Sequence, residues 1–239
     1  MSRRPFSLSA LAPLAGVALL ALAGCTTPAS NDPSRLGPFF TPVNHAGEAD
    51  LHGIRRVVVL PVCAGEIAPP ETALAFDPEF IAALQQQNRF EVVVLSRDEC
   101  QRKFHVGEFS SAAALPHDFL GRLQHDFAAD AVLFVDLTVF HAYRPLALGL
   151  RAKLATIEHP RIVWTFDNVF SAADPAVANS ARHHYLDSDR GGVPADLSPA
   201  ILQSPARFAG YAAAAMFATL PPVIAPAPPV STAQSTAKR

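Results

Sequence analysis

The chain has 239 residues, with 19 Lys and Arg against 21 Asp and Glu, 22 Pro, 12 Gly and 3 Cys. Half of it is hydrophobic and only 17% is charged, which excludes a chain disordered throughout. A net charge of −2 supplies no field that would recruit nucleic acid, so no nucleic-acid partner is expected.

At the N-terminus Arg3 and Arg4 precede an apolar run, Leu8 to Ala23, that is broken by Pro13 and Gly16. It is short for a membrane span of about 20 residues. The run ends in Leu22-Ala23-Gly24-Cys25. This resembles a bacterial lipobox, in which a Leu and two small residues enter a peptidase cleft and a Cys takes a diacylglyceryl group. The resemblance implies that residues 1–24 are a signal peptide and that Cys25 is lipidated, with a membrane as partner through the anchor. Thr26 stands where an Asp would favour inner-membrane retention, so the expected place is the outer membrane, on the periplasmic side.

Residues 25–52 carry Pro28, Pro33, Pro38 and Pro42 among Ser, Asn and Gly without sustained periodicity, the composition of a flexible tether. The folded domain is expected over residues 53–220. Residues 221–239 hold Pro221, Pro222, Pro226, Pro228 and Pro229 with Ala, Ser and Thr, and read as a disordered tail with stretches of polyproline II.

Within the domain, the β-branched run from Arg55 to Val62 has the pattern of a strand covered on both faces. Asp77-Pro78 reads as an N-cap with Pro at the first helical position, and Phe80, Ile81 and Leu84 form a stripe ending near Asn88. Phe90 to Leu95 is a second buried strand. Pro116 opens a helix with Phe119, Leu120, Leu123 and Phe127 on one face. Ala131 to Phe140 is a third strand, apolar on both faces before Asp136 and Thr138 appear on one.

The pattern then changes. Leu148, Leu150 and Leu154 alternate with Gly149, Arg151 and Lys153; after a turn at Glu158 to Arg161, Ile162, Trp164, Phe166 and Phe170 alternate with Thr165 and Asp167. Two strands wet on one face about a short turn make an antiparallel hairpin. Asp174-Pro175 and Ser204-Pro205 start the last two helices. The order β-α-β-α-β-β-β-α-α gives an α/β (α+β) fold: a mixed sheet of about five strands with helices packed on it.

The Val57 to Val62 strand (VVVLPV), the junction Phe127 to Asp136 (FAADAVLFVD) and the hairpin ending in Val163-Trp164-Thr165-Phe166-Asp167 resemble a group of envelope proteins. These are the curli-secretion lipoprotein (CsgG) family, the LpoB-type activators of peptidoglycan synthases, and the amino-terminal domain of TolB. The resemblance implies a small α/β domain used for binding or ring assembly and not for catalysis. The curli channel builds its pore from inserted strands, and a spanning strand needs about 9–11 residues. The links from Phe140 to Ala147 and from Cys63 to Phe76 are too short for such a hairpin, so no pore is expected.

Cys63 and Cys100 follow the first two strands. Two readings stand: a disulfide, since neighbouring parallel strands bring those ends together in an oxidising periplasm, or a pair of buried thiols. Asp187-Ser188-Asp189-Arg190-Gly191-Gly192 opens like a calcium loop, but Ser198 stands where a bidentate Glu is required. If one helix joins His117-Asp118 to His125-Asp126, the two His lie about 12 Å apart, too far for one metal. His183 and His184 point about 100° apart on a helix, and no third ligand stands at zinc spacing. No metal is therefore expected. No phosphate-cradling glycine motif and no nucleophile elbow occurs, so no cofactor and no catalytic residue is assigned. Tyr143 and Arg144, at the tip between the third and fourth strands, and Trp164 are the candidate contacts for a partner.

The expected role is a lipid-anchored, non-catalytic binding or accessory factor in envelope assembly, export or wall synthesis, contacting an envelope protein or its own copies. One alternative is an anchored hydrolase or ligand-binding enzyme drawing on His, Asp and Ser between Phe140 and Ser198. Another is a ring-forming export subunit, which would show as eight or more copies in detergent.

Overall fold

The computed structural model describes residues 36–49, 51–188 and 200–222. The signal peptide, Cys25 with the first part of the tether, the calcium-like loop from Asp189 onward and the tail beyond Pro222 lie outside the described residues.

In chain order the elements are β1 (His45–Gly47), β2 (Arg56–Val59), α1 (Pro70–Gln86), β3 (Glu91–Val94), α2 (Arg97–Phe104), α3 (Phe119–Phe127), β4 (Ala131–His141), β5 (Ala147–Thr156), β6 (Ile162–Ser171), α4 (Pro175–Ser188) and α5 (Pro205–Phe217). The strands form one sheet in the order β1-β6-β5-β4-β2-β3. β2 pairs in parallel with β3 and β4, and the remaining pairs are antiparallel. The mixed sheet with packed helices is the expected class, with six strands where about five were counted.

Alternation along β2 builds two cores. Val57 and Val59 point to one face, where Phe76 and Phe80 of α1 and Phe208 and Phe217 of α5 cover them. Val58 and Leu60 point to the other, against Cys100 and Phe104 of α2 and Phe119 and Leu123 of α3. Each large apolar side chain so buried contributes about 1.5–3 kcal/mol. β5 and β6 turn one face to the α1/α5 core, which Leu150, Ala152, Leu154, Trp164, Phe166 and Phe170 join, while Arg151 and Asp167 pair on the other face at 2.8 Å. The start of β2 is clamped by Asp130, whose Oδ2 accepts the backbone N–H groups of Arg55 and Arg56 at 2.8 and 2.9 Å.

Several expectations are corrected. The tether does not run free to residue 52: β1 pairs along β6, the Phe40 N–H donates to Ser180 Oγ at 2.8 Å, and Leu51 is buried. At the other end the carbonyls of Leu220 and Pro221 accept from Arg89, and that of Pro222 accepts from Leu51, so packing continues past residue 220. α1 begins at Pro70 and carries Pro78 inside it, so Asp77 is not an N-cap. Pro78 and Leu74, one turn earlier, are both on the exposed side, where water can take the carbonyl that the ring leaves unpaired. β3 is not buried on both sides; it is the sheet's edge. Asp136 is not wet: it is 6% exposed, and both of its oxygens accept the Ser111 N–H, at 3.0 and 3.1 Å. α2 has no counterpart in the expected order.

Candidate binding crevice at the ends of the parallel strands

Leaving β2, the chain turns into α1 on one face of the sheet; leaving β3, it turns into α2 on the other. Adjacent parallel strands whose helices diverge in this way open a crevice beyond their carboxyl ends, the position where open α/β sheets bind ligands. A cavity of about 320 Å³ lies there, lined by Pro61, Leu74, Pro78 and Ile81, by Val94 of β3 and by Arg97 of α2. Leu74 is 60% exposed and Val94 40%, so the crevice carries an apolar rim.

The floor is an ionic clasp. Ser96 caps α2 through a reciprocal box, its hydroxyl accepting the Glu99 N–H while Glu99 accepts the Ser96 N–H. That cap sets Arg97 at the floor of the crevice. Its Nε donates to Asp77 Oδ2 at 2.8 Å, its Nη1 to Glu108 Oε2 at 2.7 Å, and its Nη2 to the Val62 carbonyl at 2.6 Å. Asp77 Oδ1 accepts the Val62 N–H, and Glu108 Oε1 accepts the Gly65 N–H, each at 2.9 Å. One guanidinium therefore ties the loop after β2 to α1, α2 and the segment after α2. Burial alone would raise the Glu108 carboxyl, but the Gly65 N–H and Arg97 outweigh it and hold it below the ordinary range.

Cys63 Sγ lies 3.5 Å from Glu108 Oε1. Burial, and after it the Glu108 charge, pushes this thiol up to about 12; burial and then Glu99 push Cys100 up to about 11. Both are free in this structure, the second of the two readings that the sequence left open. The parallel ends do meet, but Cys63 bridges Asp136 of β4 and lies beside Glu108, while Cys100 is buried in the core under α2 and α3. Thiols held protonated in this way are poor nucleophiles. Both carboxylates of the clasp are engaged by the same guanidinium.

Of the expected contacts, Trp164 is corrected: it is 1% exposed, packed 6.1 Å from Phe166 and 6.4 Å from Phe217 between ring centroids, on the covered face of β6. Tyr143 stands 87% exposed at the β4–β5 tip. Arg144 beside it lines a cavity separate from the crevice. Sequence reasoning missed Asp77, Arg97 and Glu108 as a unit. The Ser96-to-Glu99 capping box was the legible signal for α2; the convergence of the three side chains had none.

No family model and no curated protein matches the sequence. Among solved structures, the chain is similar to a PelC dodecamer from Paraburkholderia phytofirmans (13% identity, TM-score 0.37, covering 70% of this chain and 93% of that one). It is also similar to lipoprotein GNA1162 from Neisseria meningitidis (15%, 0.36, covering 48% and 79%) and to the LpoB C-terminal domain from Salmonella enterica (14%, 0.33, covering 49% and 84%). Likeness at that depth of superposition carries no inference about what this chain does. Among the described residues no helix is long and apolar enough to cross a membrane.

Proposed function

We propose that this chain is an outer-membrane lipoprotein, anchored through Cys25 and facing the periplasm, that works as a non-catalytic accessory factor by holding an extended apolar segment of an envelope protein. The observation that carries the binding role is the crevice itself: an apolar rim beside a free strand edge, with its charged floor neutralised internally. Among the described residues β3 has a strand neighbour on one side only. The Glu91 and Leu95 N–H groups point to β2, donating to Arg55 and Val59 carbonyls at 2.7 and 3.0 Å, so those of Val92 and Val94 point outward by alternation. A segment laid along that edge would gain backbone hydrogen bonds and place an alternate side chain among Leu74, Ile81 and Val94. The anchoring rests on the Leu22-to-Cys25 pattern.

Two experiments test this reading. A photo-crosslinking residue at Leu74 is expected to yield an adduct with an envelope protein that the same residue at Gln124, on α3, does not, and Val94→Asp is expected to abolish it. Recovery of monomer alone from position 74 counts against the binding role. Cys25→Ser is expected to release the protein from the membrane fraction and remove the acyl mass.

A further inference from the structure

Arg144, at the β4–β5 tip, and Arg182, on α4, come from elements far apart in sequence and line one cavity of about 350 Å³. Its walls include Pro145, Ala172 and Leu202, none of which bears a charge. Among the described residues neither guanidinium makes a hydrogen bond or an ion pair, whereas Arg56, Arg97, Arg151 and Arg161 all hold carboxylates. Arg182 is half-buried, so its unpaired charge has given up part of its hydration. Two arginines lining one concave, otherwise uncharged space supply the planar forks that recognise a planar or tetrahedral oxyanion through bidentate bonds. The volume falls within the range of small-ligand sites.

We propose that this cavity binds a phosphate group, gripped between Arg144 and Arg182, with the body attached to it resting on Pro145 and Leu202. The site is distinct from the crevice at β2 and β3 and does not depend on it. The phosphate can come from a soluble ion or from a lipid headgroup.

The test uses the full chain in neutral detergent micelles, titrated calorimetrically at constant ionic strength maintained with sodium chloride. The probes are inorganic phosphate and, separately, dihexanoyl phosphatidylglycerol, with dihexanoyl phosphatidylcholine as the zwitterionic control. Saturable binding of phosphate that weakens at least about tenfold in Arg182→Gln and in Arg144→Gln, and not in Arg102→Gln, supports the site and a soluble source. The same pattern with phosphatidylglycerol alone supports the site and a headgroup source. Because neither arginine has a partner to lose, both variants are expected to keep the wild-type circular dichroism spectrum and melting temperature. No saturable heat from either anion, or binding that survives in the double variant, overturns the proposal.

Discussion

A thiol beside a carboxylate shows how little a residue's identity says before its neighbours are placed. Cys63 and Cys100 follow strands that do pair in parallel, yet one lies beside Glu108 and the other in the core under α2, and burial raises both. Both thiols stay protonated at pH 8, where an ordinary thiol is partly ionised. Iodoacetamide is therefore expected to label the native protein at least about 100-fold more slowly than the urea-unfolded protein. In urea without reductant both thiols should titrate; finding neither would restore the disulfide. Glu108 gives a pH signature. Its carboxyl is lowered in the fold, so its contribution is present above the unfolded value near 4.3 and is lost as pH falls through the lowered one. Urea midpoints at pH 6 and pH 3.5 are expected to differ more in the wild type than in Glu108→Gln.

At the scale of elements, one close approach decides how β4 and β5 can run together. Their register shifts between Leu137 and Val139, and Gly149 lies opposite. A Cβ on Gly149 would meet Thr138 Oγ1 at 2.4 Å and the backbone nitrogen of Val139 at 2.8 Å. The side chain could turn away but the backbone cannot. Gly149→Ala is expected to cost about 1–3 kcal/mol, read as a lower urea midpoint at unchanged slope. Element type was legible along most of the chain because periodicity reports it. The alternation of Leu150 and Leu154 with Arg151 and Lys153, and the Ser204-Pro205 start of α5, both gave the right element. α1 starts eight residues before the expected position because Asp77-Pro78 imitates a cap locally, while the carboxylate is in fact claimed by Val62 and Arg97. Short α2 carries only Cys100 and Phe104 on its buried face, too few apolar residues to register as a stripe.

For the whole molecule, the domain is larger than its composition suggested. β1 closes the β6 edge, Glu48 pairs with Arg161, and Leu51 enters the core beside the Leu220-to-Pro222 exit. A chain starting at residue 53 would lose these and uncover the flank of Trp164 now faced by Gly47. Burial of Leu51 alone is worth about 1.5–3 kcal/mol. With the edge pairing also gone, thermal unfolding is expected at least about 5 °C below that of a chain starting at residue 36.

From the sequence alone came the lipobox-like address, the α+β class, the strand that feeds two cores and the change to a half-wet hairpin. Each depends on spacing along the chain, and spacing is a local property. The edge position of β3, the crevice where α1 and α2 part, the Arg97 clasp, the separated thiols and the meeting of Arg144 with Arg182 were decided by the tertiary structure. These join residues tens of positions apart, and the order in which strands lie in a sheet sets such neighbours without leaving any period in the chain.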